Sequence, residues 1–235
     1  MRVMSFVCLA LAPLAACTEP DTETVFAQVT WMEWPAEVLG ATPFTVRLIG
    51  WGDVYCREVE AFRSAPAVDH SAVTFEPYFL VTNDPGPCPI LERWTGPDPS
   101  ARGPIPILPP YFDTRSAVPG LDAQQPRSYE LRAAADVQAP AGELDAAPLP
   151  VRTFGEVIVR SDAASTARTN AGGSVYAYRD SVGCVELYAG GVEYVIENPP
   201  ADTASFWSAF VRGYLHTVAT PVCGEARVFH LVSRN

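Results

Sequence analysis

Residues 44–50 read FTVRLIG, and this stretch indicates the fold class most directly. Apolar and polar side chains alternate along it from Phe44 to Leu48. Alternation with a period of two is typical of a β-strand that buries one face. Pro43 precedes the stretch and Gly50 ends it, and both residue types commonly bound strands. We therefore predict a β-strand at this position.

Other parts of the chain repeat this character. Residues 73–82 are rich in β-branched and aromatic side chains, and 129–133 and 154–160 alternate in the same way. We find no convincing amphipathic helix of ten or more residues. Nine prolines fall between residues 84 and 110, and proline lacks the N–H that a sheet ladder needs. We therefore expect a mainly β protein in which 84–110 is a long extended loop.

The last sixty residues contain a second group of strand candidates, separated from the first by a small, polar stretch. One helical candidate, 202–209, falls between the third and fourth of them, and Asp202 or Thr203 can cap it. Phe206, Trp207 and Phe210 are then available to plug the end of a barrel. The strand candidates are 174–179, 184–188, 193–197, 210–217 and 226–233.

Both parts of the chain resemble known exported folds. The stretches GCVELY (183–188), VRGYL (211–215) and VCG (222–224) resemble small disulfide-bonded OB-like domains, whose order is three strands, a helix and two strands. Pro35, the stretch 40–50, Cys56, Cys88, VPGL (118–121) and RSYELR (127–132) resemble an immunoglobulin-like sandwich. The resemblances imply an Ig-like β-sandwich at 25–161, a linker at 162–172, and a small five-stranded OB-like barrel at 173–235.

The first residues, MRVMSFVCLALAPLAACTEP, have the pattern of an export signal. Arg2 precedes an apolar run at 5–16 that is too short to span a bilayer as a helix. The LAAC stretch at 14–17 resembles the bacterial lipobox. This resemblance implies a signal peptide at 1–16, a lipidated Cys17, a tether at 17–24, and a bacterial cell envelope lipoprotein. Thr18 points to the outer membrane. The alternatives are ordinary secretory cleavage or a cytoplasmic N-terminus.

Four cysteines remain after Cys8 leaves with the signal and Cys17 is lipidated. An even number in an exported chain favours two disulfides, and four cysteines allow three pairings. We favour the pairs that each lie within one predicted domain. No C-x-x-C spacing occurs and the histidines are scattered, which disfavours a zinc site. The favoured pairs are Cys56–Cys88 and Cys184–Cys223.

The formal net charge is −11, and all 16 basic residues are arginine. Nucleic-acid binding depends on cationic contacts and counterion release, so this charge argues against a nucleic-acid partner. It also argues against docking on anionic lipid by charge. We therefore expect the covalently attached lipid to anchor the protein to the membrane. We expect no cofactor.

No motif for catalysis is present. Asp69-His70-Ser71 is not read as a triad, because neighbours in sequence rarely converge in the required roles. G-x-S-x-G and H-E-x-x-H are absent. His216 and His230 lie in strand candidates where they can share a metal or a proton, although half-exposed strand histidines without either are commoner. We therefore predict no catalytic residue and no metal site.

Binding is the favoured chemistry. OB-folds bind on the face of their second and third strands and through neighbouring loops. In this chain the corresponding loops are 180–183 and 218–223. The alternative for the tyrosines is a place in the barrel core or wall. The resemblance implies a binding face at Glu186, Tyr188, Tyr194, Arg212, Tyr214 and His216.

Together these features predict a non-catalytic, membrane-anchored envelope lipoprotein that acts as a binding or assembly module for a protein or glycan. Two alternatives stay open at this point. One is an exported hydrolase that uses unrecognised carboxylates. The other is a peptidase inhibitor that presents the proline-rich loop 84–110.

Overall fold

The computed structural model describes residues 22–52, 54, 58–82, 111–122, 127–135, 150–162, 167–181, 183–189, 192–201 and 206–235. Within these ranges the chain is mainly β, as predicted, and contains no helix that could span a membrane. The strands are β1 (Thr22–Pro35), β2 (Glu37–Leu39), β3 (Phe44–Gly52), β4 (Val59–Arg63), β5 (Pro66–Val68), β6 (Ala72–Phe75), β7 (Tyr78–Thr82), β8 (Tyr111–Val118), β9 (Arg127–Ala134), β10 (Val151–Arg160), β11 (Thr169–Arg179), β12 (Val185–Ala189), β13 (Val192–Ile196), β14 (Phe206–Val222) and β15 (Glu225–Arg234).

The predicted strands are found, but one of them is divided in two and the predicted helix is partly strand. The stretch 73–82 is divided into β6 and β7, which are separated by Glu76 and Pro77. The helix expected at 202–209 is wrong over 206–209, where β14 begins. Phe206 is paired with Tyr178 of β11, so the aromatic residues here form a sheet ladder rather than a helical turn. Residues 202–205 lie outside the described part of the chain.

The C-terminal strands form a closed barrel. Neighbours around it are β11, β12, β13, β15 and β14, and β14 returns to β11. The pairing of β13 with β15 is parallel, and the other four are antiparallel. A five-stranded barrel at this end of the chain is therefore confirmed.

The N-terminal strands form two layers around an apolar core. One layer continues the barrel sheet through β1, β3 and β8, with β7 and β4 attached at β1. The other is a five-stranded sheet in the order β2-β10-β9-β6-β5. Buried side chains of both layers, such as Leu48 of β3 and Leu131 of β9, belong to one cluster.

Strand β1 joins the two parts of the molecule. It is paired with β7 over its first five residues, with β3 in its middle and with β11 at its end. Residues 22–24, predicted as tether, are therefore strand, because their backbone groups are paired with β7 while their side chains are exposed. Residues 169–172, predicted as linker, are likewise strand and begin β11.

The contact between β1 and β11 is unusually close at Gly173. This glycine is opposite Trp31, and a Cβ atom added to it would lie 2.0 Å from the carbonyl oxygen of Thr30. Its φ of 155° is also a value that favours glycine. The small residues of 169–173 thus allow the two backbones to meet.

Trp31 enters the barrel from β1. Its side chain is fully buried, and its ring centroid lies 5.4 Å from that of Tyr194 and 5.5 Å from that of Phe229. Of the predicted plug residues, Trp207 is partly buried against the barrel core, and the other two are placed differently. Phe206 is exposed, and Phe210 belongs to the core of the two-layer part.

The predicted disulfide between Cys184 and Cys223 is confirmed, with Cα atoms 5.9 Å apart. Cys223 and Gly224 both have positive φ and form the two-residue turn between β14 and β15. By the chain-entropy model, closing a loop of 39 residues contributes about 4 kcal/mol. Cys17, Cys56, Cys88 and the loop 84–110 lie outside the described residues, so the Cys56–Cys88 pair stays a prediction.

The close approach at Gly173 can be tested with a matched glycine. Gly183 also has a positive φ, 94°, but a Cβ there would meet nothing within 4 Å. We expect Gly183→Ala to cost about 1–2 kcal/mol, the cost of left-handed backbone alone. Gly173→Ala should cost about 3 kcal/mol or more, because a backbone clash is added. Urea unfolding of both variants measures the difference, and equal losses would contradict the close contact.

Candidate functional site

Four aromatic side chains cover one side of the barrel exterior, and we call them the aromatic face. They lie on β11, β12 and β14. Tyr176 is parallel to Phe206 at 6.2 Å between ring centroids, and Tyr178 is parallel to Tyr188 at 5.7 Å. Tyr176 and Phe206 are 62% and 61% exposed. The register explains the grouping, because Tyr178 is opposite Phe206 and Tyr176 is opposite Tyr188.

Acidic groups border the aromatic face. The Tyr188 hydroxyl donates to Glu186 Oε2 at 3.2 Å, and Glu193 is opposite Tyr188 on β13. Hydrogen bonding to Tyr178 and then burial raise the pKa of Tyr188, and Glu193 and Glu186 raise it further. A hydrogen bond to Glu186 is the main cause that raises the pKa of Tyr178. Both hydroxyls therefore stay protonated near neutral pH and can donate hydrogen bonds.

A second group on the barrel exterior contains Glu197, His216 and His230, and we call it the histidine cluster. His216 Nε2 lies 2.8 Å and His230 Nδ1 lies 2.9 Å from the same oxygen, Glu197 Oε2. All three side chains are about one-third exposed, at 31%, 32% and 32%. Hydrogen bonds from His230 and His216 lower the pKa of Glu197, so this carboxyl group is an anion at neutral pH.

Strand register assembles the histidine cluster. His216 is opposite Val228 on β15, and Tyr214 is opposite His230. Ile196, the last residue of β13, is opposite Phe229, so Glu197 follows next to His230. The outward face of three neighbouring strands thus carries the three polar side chains side by side.

A groove of about 460 Å³ runs along the junction between β1 and the barrel. Arg47, Arg115, Arg168 and Arg227 line it, and it continues past Arg168 to His216. Arg47 makes a bidentate contact with Asp113, with distances of 2.8 and 2.6 Å. This contact lowers the pKa of Asp113. The other three arginines are exposed, which makes the groove locally cationic on an acidic chain.

At the inner wall of this groove lies a buried carboxylate, Glu33. It accepts hydrogen bonds from Trp31 Nε1 at 3.3 Å, from Arg47 Nη1 at 3.1 Å and from the Tyr194 hydroxyl. The pKa of Tyr194 is raised, first by burial and then by the charge of Glu33. The donors come from β1, β3 and β13, so this group connects the barrel to the two-layer part.

The predicted binding residues fall into separate places. Glu186 and Tyr188 belong to the aromatic face, while Tyr214 and His216 lie beside or in the histidine cluster. Tyr194 points into the barrel, as the core alternative expected. Arg212 is half-buried and donates to the carbonyl oxygen of Thr153 at 2.8 Å, so it bridges the barrel and β10.

Sequence reasoning missed several residues of these surfaces. Alternation in β11 could have indicated that Tyr176 and Tyr178 share a face, and Phe206 was assigned to a helix. Glu197 is separated from His216 by 19 residues and from His230 by 33. Its only local signal was its place at the end of a predicted strand.

The chain was compared with protein-family models, curated proteins and solved structures, and none of them matches it. The candidate surfaces are therefore argued from their own geometry. Their chemistry differs: the aromatic face can stack on flat apolar groups, the groove can attract anions, and the histidine cluster offers nitrogen and oxygen ligand atoms.

The role of Tyr194 as a structural donor can be tested by removing one hydroxyl. Tyr194→Phe deprives buried Glu33 of a hydrogen bond, and we expect a loss of about 1–3 kcal/mol in the free energy of unfolding. Tyr176→Phe removes the same atom from an exposed ring and should change it by less than about 0.5 kcal/mol. Chemical denaturation of both variants gives the values. Similar small losses would show that Glu33 does not need the Tyr194 hydroxyl.

Proposed function

We propose that this chain is a non-catalytic binding module of the bacterial cell envelope, anchored by lipid on Cys17, and that the aromatic face contacts its protein or glycan partner. The observation that carries this proposal is the pair of parallel ring stacks on three adjacent strands. Two of the four rings, Tyr176 and Phe206, are more than half exposed.

Exposed rings of this kind are suited to recognition. Aromatic side chains provide large contact areas and lose little conformational entropy on binding, and they are enriched at protein interfaces. Grouped apolar rings left in water also mark interaction surfaces more often than single exposed residues do. The rings of the aromatic face are flat, so they can stack on a sugar ring or on a planar side chain.

The border of the face limits the chemistry of the partner. Glu186 and Glu193 lie beside Tyr188, and the chain carries a net charge of −11. Anionic partners are repelled at this place, and neutral glycans or peptide segments with basic groups are favoured. The hydroxyls of Tyr178 and Tyr188 donate to Glu186, and their oxygens can accept hydrogen bonds from a partner.

The finer fold assignments belong to this proposal. The strand order around the barrel supports an OB-like domain, and two sheets with a shared core support an Ig-like sandwich. OB-folds bind on the face of their second and third strands, and β12, with Glu186 and Tyr188, is the second strand of this barrel. The expected binding face and the aromatic face thus share strand β12.

Lipidation at Cys17 would hold the body close to the bilayer. Strand β1 begins at Thr22, and the five steps from Cys17 to Thr22 can span at most about 18 Å when fully extended. A short reach of this kind suits a module whose partner is also part of the envelope.

The anchor is tested by labelling with a palmitate analogue in a bacterial host. The wild-type chain should incorporate the label and fractionate with membranes, and Cys17→Ser should abolish the label. Cys8→Ser is the matched control, because Cys8 belongs to the predicted signal peptide and its loss should leave labelling unchanged. Equal labelling of the Cys17→Ser variant would contradict the lipid anchor.

A protein partner of the aromatic face is tested by photo-crosslinking in intact cells. A benzoylphenylalanine replacement at Tyr176 should yield a discrete crosslinked adduct, which mass spectrometry of purified envelopes then identifies. The same replacement at Tyr111 of β8, which is 46% exposed, is the matched control and should yield none. Equivalent adducts at both positions would show nonspecific contact.

A glycan partner is tested by co-sedimentation of the full chain with isolated envelope polysaccharide. The double variant Tyr176→Ala/Phe206→Ala should bind about tenfold or more weakly, because two stacked rings are lost. Val232→Ala is the control, because Val232 is an apolar residue 68% exposed on β15. If neither the crosslink nor the sedimentation depends on the face, the proposal is wrong.

A further inference from the structure

Although the sequence alone predicted no metal site, we propose that Glu197, His216 and His230 bind one divalent transition-metal ion such as zinc. This inference goes beyond the binding function proposed above and does not rest on it. The histidine cluster lies on β14, β15 and the end of β13, whereas the aromatic face extends from β14 across β11 and β12.

The first argument is the convergence of ligand atoms. His216 Nε2, His230 Nδ1 and one carboxylate oxygen of Glu197 all lie within 4.8 Å of one another. Both nitrogens approach the same oxygen, at 2.8 and 2.9 Å. The chain has only three histidines, and the fold brings two of them together on neighbouring strands.

The second argument is the fit to metal-ligand distances. Zinc lies about 2.0–2.1 Å from histidine nitrogen and about 2.0–2.2 Å from carboxylate oxygen. Tetrahedral geometry then requires ligand atoms about 3.3 Å apart. The Glu197–His216 and Glu197–His230 contacts would therefore open by about 0.5 Å, and the two histidine nitrogens, which lie within 4.8 Å of each other, would have to reach the same separation. Exposure of about one-third leaves each side chain room for this movement.

The third argument is the fixed surroundings of the ligands. The Tyr214 ring is stacked on His230 with centroids 4.7 Å apart and an interplanar angle of 16°. The Asn198 side chain makes two hydrogen bonds of 2.8 Å with the backbone of Leu231. The Tyr214 stack restricts the His230 ring, and the barrel strands hold the backbones of the three ligand residues side by side.

The proton positions are compatible with metal binding. In the metal-free arrangement each histidine donates one N–H to Glu197, and Asn198 Nδ2 lies 3.3 Å from His230 Nε2. A metal at His230 Nδ1 requires the ring proton on Nε2. This nitrogen lies at the exposed edge of the cluster, so water can replace the Asn198 contact when the metal binds.

The ligand set selects the class of metal. Imidazole nitrogens favour zinc, copper, nickel and iron(II), whereas calcium and magnesium prefer sites made of oxygen ligands. Two histidines and one carboxylate leave a fourth position, on the solvent side, for water or an exchangeable ligand. A bound ion would also link β13, β14 and β15 across the outer face of the barrel.

The test uses the full chain in detergent, purified without a histidine tag and stripped with a chelator. Titration with Zn²⁺ should give one ion per chain with a dissociation constant of about 1 μM or tighter. Excess Mg²⁺ or Ca²⁺ should not displace it, and Co²⁺ should give a visible absorption band. His216→Ala, His230→Ala and Glu197→Gln should each weaken binding by roughly tenfold or more.

His70→Ala is the matched control, because His70 is the one remaining histidine and is exposed in the loop before β6. It should bind Zn²⁺ like the wild type. Thermal unfolding of the metal-free proteins checks that each variant folds. An alanine variant that does not fold is replaced by the glutamine variant at the same position, for example His216→Gln. Absence of Zn²⁺ binding, or binding unchanged by the three ligand variants, would overturn the proposal. Equal loss in His70→Ala would do the same.

Discussion

The rest of the structure depends on the hydrogen bonds that the buried carboxylate of Glu33 accepts. A charge removed from water is costly unless hydrogen bonds and opposite charges compensate for it. Its donors are Trp31 of β1, Arg47 of β3 and Tyr194 of β13, so three strands from both parts of the chain must be in place together. Strand β1 therefore cannot leave the barrel without exposing Trp31 and breaking this network.

A filled interior determines where chemistry can take place. The barrel contains Trp31, Leu187 and Phe229, which are fully buried, so the polar and aromatic side chains available to partners lie on its outer wall. The aromatic face lies apart from the histidine cluster on that wall, and the arginine groove extends to the histidine cluster at His216. The molecule thus presents three surfaces of different chemistry, and only the arginine groove shares residues, Arg47 and Glu33, with the buried network.

Local patterns predicted most of the strands. Alternation identified β3, β9, β10 and the C-terminal strands, because period-two burial depends on the sequence next to each residue. The same reasoning was wrong for 206–209, where a capping residue and aromatic side chains suggested a helix. Cross-strand pairing with β11 decided that segment. The predicted tether and linker also extended too far along the chain, because 22–24 and 169–172 are strand. Amino-acid composition does not show that their backbones are paired with β7 and β1.

The sequence by itself determined the β class and the succession of the C-terminal strands along the chain, and it favoured the pairing of Cys184 with Cys223. Only the tertiary structure decided that Tyr194 points inward while Tyr188 points outward, and that Glu197 meets His216 and His230. The physical reason is that alternation divides a strand into two faces without saying which one is buried. Closure of the barrel through long-range pairing makes that choice, and it also selects which distant strands become neighbours.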